Sequence, residues 1–300
     1  MIRIGVDFGG TKIEAAALDA DGAFIERVRE PNPGSYDAAL VLLRSLIDRV
    51  EAKVGRAASV GVGLPGSVSP KTGVARNANT TWLNGRAFRE DLAEALGRPV
   101  RVANDANCLA LSEATDGAGA SANVVFAVIL GTGCGGGVTA GGRLIEGLNG
   151  IGGEWGHMPL PWPDGAGELP APKCWCGQTG CLELYCSGTG FQDDYRRATG
   201  KSELGARIVE LMRAGDADAK ASFARYADRL GRALAVVVNI IDPDVIVLGG
   251  GMSNVVELYD ALRPVIAGRI FSDVFETPIR QAMHGDSSGV RGAAWLWPAD

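Results

Sequence analysis

Two glycine-rich turns decide how this chain folds: IGVDFGGTK at residues 4–12 and VILGTGCGGGV at residues 128–138. Each leaves an apolar strand, passes through clustered glycines and returns as a second strand. Glycine lets the backbone approach phosphate oxygens closely and adopt positive φ, while Thr11 and Thr132 add hydroxyl donors. One such hairpin alone could equally be an ordinary β-turn. Two of them, one per half, point to a duplicated fold gripping one polyphosphate from both sides, with Asp7 facing the metal ion that accompanies it.

Strand and helix signals alternate outward from these turns, as an α/β protein requires. Ile2 to Phe8, Lys12 to Leu18 and Ala23 to Arg29 read as a meander with turns at Gly9-Gly10 and Asp21-Gly22. Leu40, Leu43, Ile47, Val50 and Val54 then step by three and four, predicting a helix that ends at Gly55. Ser59 to Gly63 and Val100 to Ala103 read as strands, with a helix marked by Phe88, Leu92 and Leu96 between them. The second half repeats the plan: strand Val124 to Leu130, a returning strand near Gly137 to Ala140, and long helices near Leu204 to Ala214 and Ala217 to Ile241. Val245 to Leu248 then reads as a strand, Val255 to Ala267 as a helix, and Val290 to Trp297 as a short closing helix. Residues 131–136 also satisfy G-x-G-x-x-G, but a dinucleotide fingerprint must open a helix. Here the glycines run into a strand and the turn at Gly141-Gly142, which excludes that reading.

RVANDANC, residues 101–108, delivers Asn104 and Asp105 to a strand end, with Cys108 beginning the next helix. A carboxylate beside an amide there suits a base that takes a proton from a substrate hydroxyl; equally, either residue could cap the helix. Gly249-Gly250-Gly251 follows another strand and can lie flat against a nucleobase and ribose, or simply make a sharp turn. His284 has no partners at ligand spacing and is assigned no role.

Between Glu154 and Glu183 stand His157, Cys174, Cys176 and Cys181, in the pattern H-x16-C-x-C-x4-C. Three thiolates and one imidazole suit a tetrahedral zinc ion with no position left for a catalytic water. The rival reading is reduced cysteines packed in a core; the tight C-x-C departs from the usual C-x2-4-C. A zinc tie would order a loop that delivers the flanking carboxylates.

A net charge of −6 argues against nucleic acid as the main partner, since phosphate backbones need a basic face. Six cysteines in 300 residues are too sparse for a disulfide scaffold. With no signal-peptide pattern at the N-terminus and no run of membrane-spanning length, the expectation is a cytoplasmic protein without a membrane partner.

DFGGTK, NDANCLA, GTGCGGG, GEWGH and CWCGQTGCLE, in this order, resemble the ROK family of bacterial sugar kinases and repressors, over residues 4–297. DxGGTK is shared with many actin-like ATPases; GH with CxCGxxGCxE is specific. GLPGSVSP, NANTTWLNG, IIDPDVIVLGGGMSN and HGDSSGVRGAAWLW look most like the bacterial fructokinases of that family. Its repressors carry a DNA-binding helix-turn-helix ahead of the first phosphate turn, and only six residues precede Asp7 here, so the expectation is a kinase.

The resemblance implies an actin-like, ribonuclease-H-like α/β fold of two domains around a cleft, residues 1–117 with 286–300 and residues 118–285, closing to exclude water. It implies Asp105 as the base for a hexose 6-hydroxyl attacking the γ-phosphate of ATP. Asn104, Glu154, His157 and Glu183 would hydrogen-bond the sugar. Gly9, Gly10, Thr11 and Lys12 would cradle the phosphates with Gly131, Thr132 and Gly133, while Gly249, Gly250 and Gly251 border the adenosine. Mg²⁺ would travel with ATP, zinc would be structural, and the chain would form a homodimer. Fructose is the expected substrate, with mannose or glucose secondary. N-acetylglucosamine, N-acetylmannosamine or glucose is the alternative, and a sugar sensor without turnover is a rival of another class. A zinc hydrolase is disfavoured, because three thiolates are the wrong ligand set.

Overall fold

β1 (Arg3–Phe8), β2 (Lys12–Leu18) and β3 (Phe24–Pro31) form the expected antiparallel meander, with Asp7 opposite Glu14. The computed structural model describes residues 2–55, 59–78, 80–165 and 167–297; Asn79 of the NANTTWLNG segment lies outside them. Helix α1 (Tyr36–Val54) buries Ala39, Leu43, Leu46, Ile47 and Val50 on one stripe and stops at Gly55, whose φ of 79° favours glycine. Next come β4 (Ser59–Leu64), a small ribbon of β5 (Ser67–Val68) and β6 (Ala75–Arg76), α2 (Phe88–Leu96), β7 (Arg101–Asn104) and α3 (Asp105–Asp116). The second half contains β8 (Val124–Leu130), β9 (Cys134–Ala140), β10 (Arg143–Leu144), α4 (Glu183–Cys186), α5 (Gly188–Thr199), α6 (Gly205–Arg213) and α7 (Ala217–Ile241). It closes with β11 (Val245–Gly249), α8 (Glu257–Ala267), β12 (Ile279–Gln281) and α9 (Ser288–Ala294).

The two large sheets have orders β3-β2-β1-β4-β7 and β10-β9-β8-β11-β12. In each, the outer three strands come from a glycine-linked meander and the other two are added in parallel. Parallel additions require crossovers, which α1, the α2 segment, the long α4–α7 segment and α8 supply. This is the duplicated topology that the paired glycine turns imply. By its contacts the chain forms two compact units: Met1–Asn123 with Gly137–Gly153 and Met283–Asp300, and Val124–Gly136 with Glu154–Ala282. No helix of the described residues is long and apolar enough to cross a membrane.

Several boundaries differ from the sequence reading for identifiable reasons. The helix expected from Cys108 begins at Asp105, because Asn104 caps it. Helix α5 was not expected, since Gly188-Thr189-Gly190 reads as loop; Ser187 starts it by accepting the Gly190 N–H at 2.9 Å. The helix expected from Val255 starts at Glu257, after a short 3₁₀ turn over Gly251–Asn254.

In the first unit, α9 lies directly on backbone. A Cβ on Gly5 of β1 would sit 1.9 Å from the Val290 carbonyl oxygen, and one on Gly61 of β4 would sit 1.9 Å from that of Ala293. Gly292 of α9 would likewise place a Cβ 1.8 Å from the Cys108 carbonyl oxygen of α3. These contacts fix β1, β4 and α3 around one helix, and so fix where Asp7 and Asp105 stand. Gly61→Ala should therefore cost about 3 kcal/mol or more through overpacking against unyielding backbone. Gly251→Ala, with nothing within 4 Å of the new Cβ, should change stability by less than about 0.5 kcal/mol. Urea unfolding of the two variants checks this; equal stabilities would contradict it.

Candidate active site and metal centre

The first glycine turn is pinned from beneath. The Gly9 N–H donates to the Lys12 carbonyl at 3.0 Å, and a Cβ on Gly9 would come within 2.8 Å of that oxygen. Asn32, just past β3 and missed in the sequence, holds the turn twice. Its Nδ2 donates to the Gly9 carbonyl at 2.8 Å and its backbone N–H to the Thr11 carbonyl at 2.9 Å. Gly10 and Thr11 stay exposed at the tip.

Of Asn104 and Asp105, the first caps the helix. The Asn104 Oδ1 accepts the Ala106 N–H at 2.8 Å and its Nδ2 donates to the Gly66 carbonyl at 3.1 Å, so the amide is the cap. Asp105 takes the first helical position, where its Oδ1 also accepts from the Ala106 N–H at 2.8 Å, and it is exposed. Asp7 is pushed up to about 6, mainly by burial, then by the nearby charges of Asp105 and Glu14, with Lys12 and Arg29 opposing.

Unit two holds the other turn. The Gly131 N–H donates to the Gly133 carbonyl at 3.1 Å, and the Gly131 carbonyl accepts the Gly188 N–H at 2.7 Å. Gly250, at φ 77°, presses on β8: a Cβ there would come 2.7 Å from the Leu130 backbone. The Ser253 hydroxyl donates to the Gly250 carbonyl at 2.7 Å. The triple-glycine turn thus stands at the end of β8, beside the second glycine turn.

In GEWGH, Trp155 is buried edge-on against Phe126 at 5.3 Å, and a Cβ on Gly156 would lie 1.9 Å from the Cys134 carbonyl oxygen. These anchors leave Glu154 exposed and His157 partly so. The Glu183 N–H donates to the Gly156 carbonyl at 2.9 Å, which brings the far end of the insertion back beside its start.

His157, Cys174, Cys176 and Cys181 converge, all four donor atoms lying within 4.8 Å of one another. The Cys174 Sγ is 3.7 Å from His157 Nδ1, and the Cys176 and Cys181 sulfurs are 3.6 Å apart. Bonds of about 2.0–2.3 Å at tetrahedral angles place donors about 3.3–3.8 Å apart, so the chemistry of the set and these two spacings fit zinc, the widest pair standing looser, within 4.8 Å. The knuckle is preformed in backbone: the Cys174 N–H donates to the Gln178 carbonyl at 2.8 Å, and the Gly177 N–H to the Cys174 carbonyl at 3.0 Å.

A buried charge network holds the stretch between His157 and Cys174. The Arg229 Nε donates to Glu168 Oε1 at 2.9 Å and its other arm to Asp194 Oδ1 at 2.6 Å. Arg232 pairs with Glu168 and donates to the Pro161 and Trp162 carbonyls at 2.8 and 2.7 Å. Burial opposes the Glu168 charge, but hydrogen bonds from Arg232 and Arg229 outweigh it and hold the carboxyl below its ordinary value. His284 has a structural task in the first unit. Its Nε2 meets Asp116 Oδ1 at 2.8 Å, and the Met283 and His284 N–H groups donate to Glu113 at 2.9 and 3.1 Å.

The family model described as the ROK family matches residues 3–300. An N-acetyl-D-glucosamine kinase from Pectobacterium atrosepticum is 41% identical over 296 residues, 97% of each chain. Among solved structures, a ROK hexokinase from Thermus thermophilus superposes with a TM-score of 0.87 at 34% identity, over 99% of this chain and 97% of that one. A ROK family glucokinase from Streptomyces griseus, in complex with glucose and AMPPNP, gives 0.79 at 29% identity over 99% of each. The fold is the actin-like ATPase fold. The likeness to fructokinase is corrected: the 41%-identical relative is named for N-acetyl-D-glucosamine.

The raised pKa of Asp7 makes a pH prediction. Between about 6 and its unfolded value near 4, the folded chain binds more protons than the unfolded one, so stability from this group rises as pH falls. At pH 7.5 the ionised Asp7 costs at most roughly 3 kcal/mol. Asp7→Asn should then be more stable than the parent at pH 7.5, with the difference vanishing by about pH 4. Thermal unfolding across pH checks this; an Asn variant less stable at pH 7.5 would contradict it.

Proposed function

The chain belongs to the ROK family, and we propose that it is an ATP-dependent sugar kinase whose substrate is N-acetyl-D-glucosamine, phosphorylated at the 6-hydroxyl. The observation that carries the substrate is the 41% identity, over nearly the whole chain, to a kinase named for that sugar. Support for phosphoryl transfer from ATP comes from the two glycine turns and from the glucokinase relative bound to glucose and an ATP analogue.

The roles follow from chemistry. Gly9, Gly10, Thr11 and Lys12, with Gly131, Thr132 and Gly133, hold phosphate oxygens through backbone amides, hydroxyls and one cation. Gly249, Gly250 and Gly251 border the adenosine. Mg²⁺ arrives with ATP as part of the substrate, and Asp7 faces it. The Asp105 carboxylate takes the proton of the sugar hydroxyl as that oxygen bonds to the γ-phosphorus; the bond to the β-phosphate oxygen breaks and ADP leaves. Asn104, Glu154, His157 and Glu183 hydrogen-bond the other sugar oxygens, because a polar ligand needs each buried donor and acceptor paired. Zinc, when bound by His157, Cys174, Cys176 and Cys181, supplies a rigid tie and no open position for chemistry.

ADP release from MgATP, scanned over N-acetylglucosamine, N-acetylmannosamine, glucose, mannose and fructose, tests the reading. N-acetylglucosamine should turn over with the highest kcat/KM, and Asp105→Asn should lose at least about a hundredfold in kcat while still binding the sugar. A preference for fructose would overturn the substrate, near-normal turnover by the variant would overturn the base, and no turnover with any sugar would overturn the kinase.

A further inference from the structure

Glu183 has both carboxylate oxygens engaged within its own unit. Oε1 accepts the indole N–H of Trp175 at 2.6 Å, and Oε2 accepts the backbone N–H of Cys134, at the edge of the second phosphate turn, at 3.2 Å. Trp175 is the residue between Cys174 and Cys176, and its ring meets His157 edge-on at 5.0 Å. One side chain therefore touches two residues assigned to the sugar while its own backbone lies inside the metal knuckle. It is 63% exposed, so core packing does not account for a large aromatic there.

We propose that Trp175 is a positioning residue for sugar recognition, its indole N–H fixing the carboxylate of Glu183; the inference rests on the kinase reading. Glutamate has three side-chain torsions, and freezing them upon binding costs affinity. A donor on each oxygen freezes them beforehand. The two donors have separate origins. One is carried by the metal knuckle and the other by the turn at Gly133-Cys134, where a Cβ on Gly133 would lie 2.6 Å from Glu183 Oε2. The carboxylate is thus set by both features the sequence marks as functional, and remaining lone pairs on its oxygens are left for sugar hydroxyls.

The test replaces Trp175 with β-(3-benzothienyl)alanine, which keeps the ring and its contact with His157 but removes the N–H donor. Trp175→Phe and Trp175→Ala serve as comparisons. KM and calorimetric Kd for N-acetylglucosamine should rise about tenfold in the sulfur isostere, the lower range for a lost hydrogen bond to a charged group. The Phe variant should be impaired as much as the Ala variant, with kcat at saturating sugar, KM for MgATP and zinc content unchanged. An unchanged sugar KM in the isostere would overturn the inference while leaving the kinase reading intact. Loss of zinc from the isostere would also overturn it, by making the indole a structural member of the knuckle. Absence of turnover and of sugar binding in the parent would overturn the kinase reading, and this inference with it.

Discussion

One imidazole and three thiols converge within 4.8 Å in the second unit, and a zinc ion bound there would fix the segment that carries them. The segment from His157 to Cys181 contains little regular structure, and an insertion of that kind cannot hold side chains in place by packing alone. Zinc, when bound by the four donors, would tie one end of it. Its middle is tied to α7 by Glu168, Arg229 and Arg232, a buried network whose loss on one side would strand charge in the interior. Held at both places, the segment ends at Glu183 with its N–H on the Gly156 carbonyl, so that Glu154, His157 and Glu183 come from neighbouring backbone.

Backbone contact does the corresponding work in the first unit. Gly5, Gly61 and Gly292 let α9 approach β1, β4 and α3 more closely than any side chain would permit. The strand ending in Asp7 and the helix beginning at Asp105 share that support, and each carboxylate shifts the proton affinity of its neighbourhood. Burial of an Asp7 charge costs the fold stability, as is common where a site needs a charge that packing would not choose.

Much of this was legible in the sequence because the signals are local. Helix α7 spans Ala217–Ile241 as its apolar periodicity indicates, and the glycine hairpins appear as strand, turn and returning strand. The clustering of His157, Cys174, Cys176 and Cys181 was legible because three cysteines and a histidine at fixed spacing have few other uses. Long-range partners were not: Glu168 meets Arg229 and Arg232 across 61 and 64 residues, and nothing in the local pattern pairs them. Asn32 escaped notice and His284 was assigned no role for the same reason, since each meets a partner distant in sequence, the Gly9 carbonyl and the Asp116 carboxylate. The expectation of fructose rested on GLPGSVSP, NANTTWLNG, IIDPDVIVLGGGMSN and HGDSSGVRGAAWLW, whereas the relative 41% identical over 296 residues is named for N-acetyl-D-glucosamine.

The central claim is that the metal centre holds the sugar-binding side chains and takes no part in the transfer. The most direct measurement is the Kd for N-acetylglucosamine and for MgATP by calorimetry, before and after zinc is stripped with a chelator and then restored. The account predicts about one zinc per chain, a loss of at least about tenfold in sugar affinity on stripping, MgATP affinity largely kept, and recovery on adding zinc back. Normal sugar affinity in protein shown to contain no metal would contradict it.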